Sequence, residues 1–208
     1  MEQMGNKMAR GWMVALVVGL LSGCAPIVGG GVVTGVSVER RGTVEMVEDL
    51  WVSNKIRSAY IESDKVSWGN VNVTVFRGKV LLTGTAANEE EVQESVRIAK
   101  AIRGVRAVHS ELKVQYASAQ ELAEDTWIST QVKMMLLRDE QVRGLDIHVD
   151  TTKNVVYLTG LAASIQERDR AARIASVVKG VKEVVSYIEV DPESYKPTPL
   201  EESEPSKP

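Results

Sequence analysis

The sequence predicts an α+β fold built from two tandem αββαβ domains, each a three-stranded mixed sheet with two helices on one face. Three observations lead to it. Matching residues recur at one constant offset along the 208-residue chain. Within each copy, stretches of helical periodicity alternate with stretches of two-residue periodicity. Their order is helix, strand, strand, helix, strand, so one sheet can cover the apolar faces of both helices.

The internal repeat consists of residues whose numbers differ by 76. The matching pairs are Asp49 and Asp125, Trp51 and Trp127, Ser53 and Ser129, Val73 and Val149, Leu82-Thr83-Gly84 and Leu158-Thr159-Gly160, Arg97-Ile98-Ala99 and Arg173-Ile174-Ala175, and Gly104-Val105 and Gly180-Val181. A constant offset over so many positions indicates a duplication without insertions. We assign copy one to residues 48–116, a linker to 117–123 and copy two to 124–192.

The first element of each copy is a helix, predicted over residues 48–61 and 124–138. Asp49 and Asp125 come early in these stretches, where an acidic residue caps a helix or favours its first turn. We therefore interpret both aspartates as N-terminal helix residues.

A β-hairpin follows in each copy. Valines alternate with polar residues on either side of a turn at 77–79 in copy one and 152–154 in copy two, as in half-buried strands. Gly84 and Gly160 are predicted to adopt positive φ and to let the chain leave the second strand. The alternation also predicts that the sheet face away from the helices is polar.

The second helix is predicted over residues 88–102 and 164–178, and it ends before Gly104 and Gly180, which suit a helix C-terminus. A last strand then completes the sheet. A domain of about 70 residues has a marginal core, so packing of the two copies against each other is one way to add stability.

The N-terminus is typical of an export signal. Lys7 and Arg10 precede an apolar run over residues 11–21, which is shorter than the roughly 20 residues that a membrane span needs. The run ends in Leu21-Ser22-Gly23-Cys24, and this segment resembles the bacterial lipobox. A short uncleaved anchor is the alternative.

The lipobox predicts domain limits and a location. Residues 1–23 would be a signal peptide, and Cys24, the one cysteine of the chain, would carry acyl groups, palmitate among them, at the mature N-terminus. The Gly- and Val-rich residues 24–47 would form a flexible tether. Ala25, rather than the aspartate that retains enteric lipoproteins at the inner membrane, favours an outer-membrane anchor facing the periplasm.

Composition narrows the functional classes. The net charge of −3 at pH 7 lacks the basic footprint of a nucleic-acid-binding protein. His109 and His148 occupy different repeat positions and neither belongs to a catalytic or metal-binding motif. We therefore expect no enzymatic activity, no cofactor, no metal and no small-molecule substrate. Residues 193–208, rich in Pro and Glu, are predicted to be a disordered tail.

The repeated pattern resembles a known family. Both copies carry Asp-x-Trp-[Val/Ile]-Ser, a strand ending in Leu-Thr-Gly, then Arg-Ile-Ala and Gly-Val. This ordered set is similar to the BON domain of bacterial envelope proteins. With the lipobox, the chain looks like the dual-BON-domain outer-membrane lipoproteins of the DolP-like group. The resemblance implies binding to phospholipid surfaces, chiefly anionic ones, through the first helix of the second domain, and support of outer-membrane integrity.

That helix carries the candidate site. On a helical wheel, Ile128, Val132 and Met135 form a core face that Leu136 extends. Trp127, Met134 and Leu137 form a second apolar stripe. The predicted phospholipid-binding residues are Trp127, Gln131, Lys133, Met134, Leu137 and Arg138.

Other interpretations of this stripe stay open. It could pack against copy one or cover the core edge. It could also dock another envelope protein, as in a periplasmic adaptor or a stress-related chaperone module. The equivalent face of copy one, with Trp51, Ser58 and Ile61, is less apolar. We therefore predict that copy two faces the lipid.

Overall fold

The computed structural model describes residues 43–195. The predicted signal peptide, Cys24, most of the tether and nearly all of the tail lie outside the described residues. None of the helices in the described part of the chain has the length and hydropathy needed to cross a bilayer.

Both copies contain the predicted elements in the predicted order. Copy one comprises α1 (Thr43–Glu62), β1 (Val71–Phe76), β2 (Lys79–Ala86), α2 (Glu89–Ala101), β3 (Ala107–Ser110) and β4 (Lys113–Val114). Copy two comprises α3 (Ala119–Arg138), β5 (Ile147–Thr152), β6 (Val155–Ala162), α4 (Ile165–Ser176) and β7 (Glu183–Val190). Short 3₁₀ turns span Trp68–Asn70, Gly144–Asp146 and Pro192–Tyr195.

Each sheet is mixed, as predicted. β1 pairs antiparallel with β2, and β2 pairs parallel with β3. In copy two, β5 pairs antiparallel with β6, and β6 pairs parallel with β7. The last strand is continuous in copy two. In copy one it is interrupted, and β4 resumes the parallel pairing opposite Thr85 and Ala86.

Both first helices begin earlier than predicted. α1 starts at Thr43, so residues 43–47 are helical rather than part of the tether. α3 starts at Ala119 and takes up most of the predicted linker. A capping box explains this start, since Glu121 N–H donates to Ser118 Oγ and Ser118 N–H donates to Glu121 Oε2. These bonds lower the pKa of Glu121.

The earlier start changes the role of the repeated aspartates. Asp125 lies inside α3, buried, and its carboxylate accepts the backbone N–H groups of Lys153 and Asn154, both at 2.8 Å. Asp49 does the same for Arg77 and Gly78 in copy one. The prediction that they are N-terminal cap residues was therefore wrong.

These aspartates hold tight hairpin turns. The two turn residues of copy one, Arg77 and Gly78, have φ of +50° and +72°, and Lys153 and Asn154 have +50° and +67°. Two residues with positive φ make the type I′ turn that matches the twist of a hairpin. The turn's N–H groups point at the helix, and the carboxylate satisfies them.

The prediction for the strand glycines was half right. Gly84 and Gly160 do have positive φ, +104° and +144°. The strands nevertheless continue through both of them to Ala86 and Ala162. Each glycine lies against a backbone carbonyl of the preceding 3₁₀ turn, at Asn70 or Asp146, where a Cβ would collide. Glycine is needed there for close backbone approach.

Each copy has its own core between its helices and one sheet face. The core of copy one contains Val52, Ile56, Tyr60, Val66, Val71, Val73, Val80, Leu82, Ile98 and Ala99. The core of copy two contains Ile128, Val132, Leu136, Val142, Ile147, Val156, Leu158, Ala162, Ala171, Ala175, Val178 and Ile188.

The sheet faces away from the helices were predicted to be polar, but they carry buried apolar residues and pack against each other. Leu81 and Thr83 of β2 are buried, as are Tyr157, Thr159 and Leu161 of β6. These side chains lie on the faces opposite the helices, because strand residues alternate between faces. The molecule is therefore layered as helices, sheet, sheet, helices.

Hydrogen bonds between the copies fix this packing. Thr74 Oγ1 donates to Asp150 Oδ2 at 3.0 Å, and Gly84 N–H donates to Thr152 Oγ1 at 2.9 Å. The hydroxyl of Tyr187 donates to Glu111 Oε1 of copy one at 2.6 Å. Burial and this bond raise the pKa of Tyr187 to about 12.

An ion-pair cluster closes one edge of the same interface. The guanidinium of Arg77, in the hairpin turn of copy one, lies 2.9 Å from Asp191 and 3.4 Å from Glu189 of copy two. Lys79 Nζ lies 2.8 Å from the other oxygen of Glu189. Arg77, Glu189 and Asp191 are each about three-quarters buried. Their pairing therefore helps to fix how one sheet is positioned on the other.

Candidate membrane-contacting surface on α3

The first helix of copy two, α3, buries one side and exposes the other. Its buried residues are Asp125, Ile128, Val132 and Leu136, a series with helical spacing. Trp127, Met134 and Leu137 are 47%, 37% and 48% exposed. The predicted stripe therefore exists as an outward face of the described unit.

One predicted core residue lies elsewhere. Met135 is 37% exposed and not buried. Ile128, Val132 and Leu136 make the core contact, and Met135 is not among the residues packed against that core. The exposed face of α3 is therefore wider than predicted by one large apolar side chain.

Copy one does not cover this face. The copies meet through the sheet faces opposite their helices, and α3 lies on the outer side of its own sheet. The interpretation of the stripe as the interface between the copies is therefore wrong for the described residues. The exposure of Trp127 and Leu137, calculated with copy one in place, agrees with this.

Two threonines on the outward side of α3 donate their hydroxyl hydrogen bonds to the backbone of the helix. Thr126 Oγ1 donates to the carbonyl of Leu122 at 2.7 Å, and Thr130 Oγ1 donates to the carbonyl of Thr126 at 2.8 Å. This back-bonding satisfies the hydroxyl groups locally. These two hydroxyl groups therefore do not need water as a hydrogen-bond acceptor when the face between Trp127 and Leu137 enters an apolar phase.

Lys133 has a different role from the predicted one. Its ammonium donates to the carbonyls of Gly144 and Ile147, both at 2.6 Å, and the side chain is half-buried. These two hydrogen bonds hold the turn before β5 against α3. Lys133 is a positioning residue in this arrangement rather than a cation held out to a headgroup.

The remaining polar candidates differ in exposure. Gln131 is half-buried, and Arg138, in the last turn of α3, is exposed. Arg138 is therefore the predicted cation that stays available at the stripe. The next residue, Asp139, accepts a bidentate pair from Arg170 at 2.8 Å and 2.8 Å. That pairing lowers the pKa of Asp139 and fixes the end of α3 against α4.

Leu145 is a residue that sequence reasoning missed. It is 76% exposed in the 3₁₀ turn at Gly144–Asp146. Gly144 is packed so closely on the backbone of Leu136 and Leu137 that a Cβ there would come within 2.8 Å of it. Leu145 is therefore presented beside the C-terminal end of the stripe. The repeat does not mark it, because Gly69 occupies the matching position in copy one.

We predicted that the outward helix face of copy one is less apolar than that of copy two. This prediction is wrong for the N-terminal half of α1. Val44, Val47, Leu50 and Trp51 are all exposed on α1. Three of the four precede Trp51 in helix turns that we had largely assigned to the tether. The choice of copy two as the lipid-facing domain therefore no longer follows from a comparison of the two helices.

The described residues show little that could support catalysis. No group of three or more His, Cys, Asp or Glu side chains within residues 43–195 could hold a metal ion. His109 stacks on Tyr187 across the copies with ring centroids 5.1 Å apart, and His148 Nε2 lies 3.3 Å from Asp150. Both histidines thus make structural contacts at or near the interface between the sheets.

Comparisons with known proteins place this architecture. The family model described as the BON domain matches residues 48–116 and 124–192. The chain is 32% identical over 169 residues to the "Outer membrane lipoprotein DolP" of Haemophilus influenzae, covering 79% of this chain and 87% of that protein. It is 32% identical over 141 residues to the "Osmotically-inducible protein Y" of Escherichia coli, covering 66% and 70%.

A solved structure is also similar in part. The C-terminal domain of CdsD, "the structural protein of the Type III secretion system of Chlamydia trachomatis", matches with a TM-score of 0.30 at 12% identity. The match covers 67% of this chain and 96% of that one. At this score the likeness adds nothing to the assignment of fold or function.

Proposed function

This chain belongs to the BON-domain family, and from that premise we propose that it is a lipid-anchored protein of the bacterial cell envelope that binds anionic phospholipid surfaces through α3. In this proposal Cys24 anchors it to the outer membrane, on the periplasmic side, and the protein supports outer-membrane integrity. Its work is binding rather than catalysis. The printed name of one relative, an outer membrane lipoprotein, supports an envelope location.

The exposed stripe on α3 is the observation that carries the proposal. Trp127, Met134 and Leu137 lie outward together, with the satisfied threonines between them and Arg138 at one end. Apolar side chains beside an aromatic ring and a cation suit the boundary between headgroups and acyl chains. Tryptophan favours that boundary because one end of its ring is apolar and its N–H can still meet water.

The predicted anchor makes a weak contact sufficient. Each buried CH₂ contributes roughly 0.8 kcal/mol, so a lipoprotein with two or more acyl chains stays in its membrane. The α3 contact then forms within one tethered molecule, where the effective concentration of membrane is high. A surface of only a few apolar side chains can therefore respond to lipid composition.

The test is co-sedimentation of residues 24–208, with Cys24→Ser, with vesicles of phosphatidylglycerol or of phosphatidylcholine. We expect binding to the anionic vesicles that weakens at higher salt. Leu137→Ala removes a half-exposed leucine from the stripe, and the loss of its buried methyl groups should weaken binding about fivefold to tenfold. Trp127→Ala should weaken it at least as much.

Leu122→Ala is the matched control. Leu122 is on the same helix and 51% exposed, close to the 48% of Leu137. It lies 15 residues earlier, which is about 22 Å along the axis. Equal effects of the two substitutions would contradict a contact at the stripe. If the folded protein binds neither type of vesicle, an adaptor that docks another protein through the same helix becomes the favoured function.

A further inference from the structure

The N-terminal half of α1 carries an apolar surface that copy two lacks. Four large side chains, which we call the α1 patch, are exposed by about half or more, namely Val44, Val47, Leu50 and Trp51. At three of the four matching positions copy two has a smaller or polar residue, namely Gln120, Ala123 and Thr126. Both copies have the same fold, so the fold itself does not require the three aliphatic side chains of α1.

The α1 patch faces outward on one side of the helix. Val44 and Val47 lie within about 40° of Trp51 around the helix axis, and Leu50 lies about 100° to one side. Copy two lies beyond the sheet on which α1 packs, and the exposure of the patch is measured with copy two in place. The patch is therefore not covered by any of residues 43–195.

The size of the α1 patch suits a weak protein contact. Four side chains exposed to this degree form an apolar surface of several hundred Å², which is the size that marks an interaction site on a monomer. A standard interface buries about 800 Å² on each partner. With its polar rim, the α1 patch reaches the lower end of that class, where contacts are reversible.

The charges next to the α1 patch cancel. A cleft of about 440 Å³ beside it is lined by three acidic and three basic residues, namely Glu45, Glu48, Asp49, Arg77, Arg103 and Arg106. A surface of this kind does not select a strongly charged partner of either sign. It also does not repel a second molecule that presents the same surface, which is what a self-complementary contact requires.

Two exposed charges flank Trp51 on the same side of α1. Glu48 precedes Trp51 by three residues and Lys55 follows it by four, which places them about 60° and 40° around the helix from Trp51. Both side chains are exposed, and neither forms an ion pair with another residue of the range 43–195. Lys55 Nζ lies 5.8 Å from the centroid of the Trp51 ring, at the edge of the patch.

A two-fold axis between antiparallel helices brings these charges together. Such an axis keeps each residue on its own side of the contact and reverses its position along the helix. With the axis at Trp51, Glu48 of each molecule lies beside Lys55 of the other, and the two Leu50 side chains meet near the axis. A parallel pair would instead place like charges level with each other. Copy two cannot form these ion pairs, because Gln131 occupies the position that matches Lys55.

We infer that the α1 patch binds the α1 patch of a second molecule of this chain, in an antiparallel two-fold pair centred on Trp51. The pairing goes beyond the proposed membrane contact and does not depend on it, because α3 lies in the opposite outer layer. The exposed stripes on α3 of the two molecules lie at opposite ends of the pair. One flat bilayer can therefore meet only one of them.

The test is sedimentation equilibrium of residues 24–208 with Cys24→Ser, in the absence of lipid. We expect a reversible equilibrium between monomer and dimer, with a dissociation constant of the order of tens of micromolar, as suits an interface near the lower size limit. Measurements over two decades of concentration around that value define the equilibrium. Circular dichroism melts establish that each variant is folded.

A pair of double variants locates the contact. Val47→Ser with Leu50→Ser removes exposed apolar side chains from the centre of the proposed interface and should weaken the dimer about tenfold or more. Leu122→Ser with Leu137→Ser is the matched control. These two leucines of α3 are 51% and 48% exposed, and their replacement should leave the dimer unchanged.

A charge exchange tests the antiparallel arrangement. Glu48→Lys alone, or Lys55→Glu alone, turns two attractive contacts of the pair into repulsive ones and should weaken the dimer about tenfold. The two substitutions together exchange the charges and should restore it. A general loss of folding would not be reversed in this way.

Four results would overturn the inference. The first is a folded protein that remains monomeric over the whole concentration range. The second is a dimer that the α3 control weakens as much as the α1 variant does. The third is a charge exchange that does not restore the dimer. The fourth is a dimer that forms only when the chain is shortened to residues 43–208, which would assign the patch to the chain's own N-terminal segment. Since no lipid is present, these outcomes are independent of the vesicle test of the proposed function.

Discussion

Replacing Asp125 tests how each BON domain holds its hairpin to its first helix. The buried carboxylate accepts two backbone N–H groups, of Lys153 and Asn154, both at 2.8 Å. Hydrogen bonds to a charged group are worth about 1.5–3 kcal/mol each. Two of them give about 3–6 kcal/mol, and water that reaches the part-buried turn reduces the loss. We expect Asp125→Ala to cost about 3 kcal/mol.

Asp125→Asn refines the test because it keeps the size of the side chain. The amide can accept one of the two N–H groups, and its NH₂ would face the other donor. We expect a loss of about 1.5–2 kcal/mol, between the wild type and the alanine variant. Both residues of the turn keep positive φ, so the strain of the turn is the same in each variant.

The assay is urea unfolding at pH 7, followed by circular dichroism, with Asp64→Asn as the control. Asp64 is an exposed aspartate, so its substitution should change the unfolding free energy by less than about 0.5 kcal/mol. If Asp125→Asn is as mild as the control, the carboxylate does not hold the turn. The repeated Asp-x-Trp motif would then need another explanation.

Two further predictions concern a carboxylate in the first turn of α2 and the contact between the copies. Burial acts to raise the pKa of Glu91, but N–H groups of Ala87 and Ser67 donate to its carboxylate and hold that pKa below its usual range. This stabilisation is present above the ordinary carboxyl pKa and is lost as the pH falls through the pKa of the folded state. In urea unfolding, Glu91→Gln should therefore lower the unfolding free energy at pH 7 and much less below about pH 4. Leu81→Glu puts a charge between the sheets, against the face that carries Tyr157. In calorimetry, it should separate one unfolding transition into two. A single transition with an unchanged midpoint would contradict the sheet packing.

The order of elements was predictable because it depends on local patterns. Alternating valines over 71–75 and helical spacing over 89–101 each identify an element without knowledge of the rest of the chain. The constant offset of 76 then let each copy confirm the other. Mixed pairing also follows, since a hairpin must be antiparallel and a helical crossover joins parallel strands.

The helix starts were missed because of how Asp49 and Asp125 were interpreted. An acidic residue before an apolar stretch is typical of a helix N-terminus. Here the acid lies on the inward side, opposite its neighbouring tryptophan, and bonds a turn 28 residues later. Only the spatial position of that turn reveals this role. The capping box at Ser118 and Glu121 was the readable signal for the true start of α3.

The sequence suggested that the two copies pack against each other, but it did not show that they do so through their sheets. Threonines such as Thr83 and Thr159 made the outer sheet face look polar, yet both are buried between the copies.

The layered architecture also limits how the proposed membrane contact can be used. α1 and α3 lie in opposite outer layers, because each packs on the side of its sheet that faces away from the other copy. A flat bilayer against Trp127 therefore leaves Trp51 on the far side. Four layers about 10 Å apart make the unit some 40 Å thick, and a tether of 18 residues reaches about 60 Å. Either face can thus turn to the anchoring membrane, but not both at once. If α3 binds the anchoring membrane, the exposed apolar residues of α1 therefore face away from that membrane.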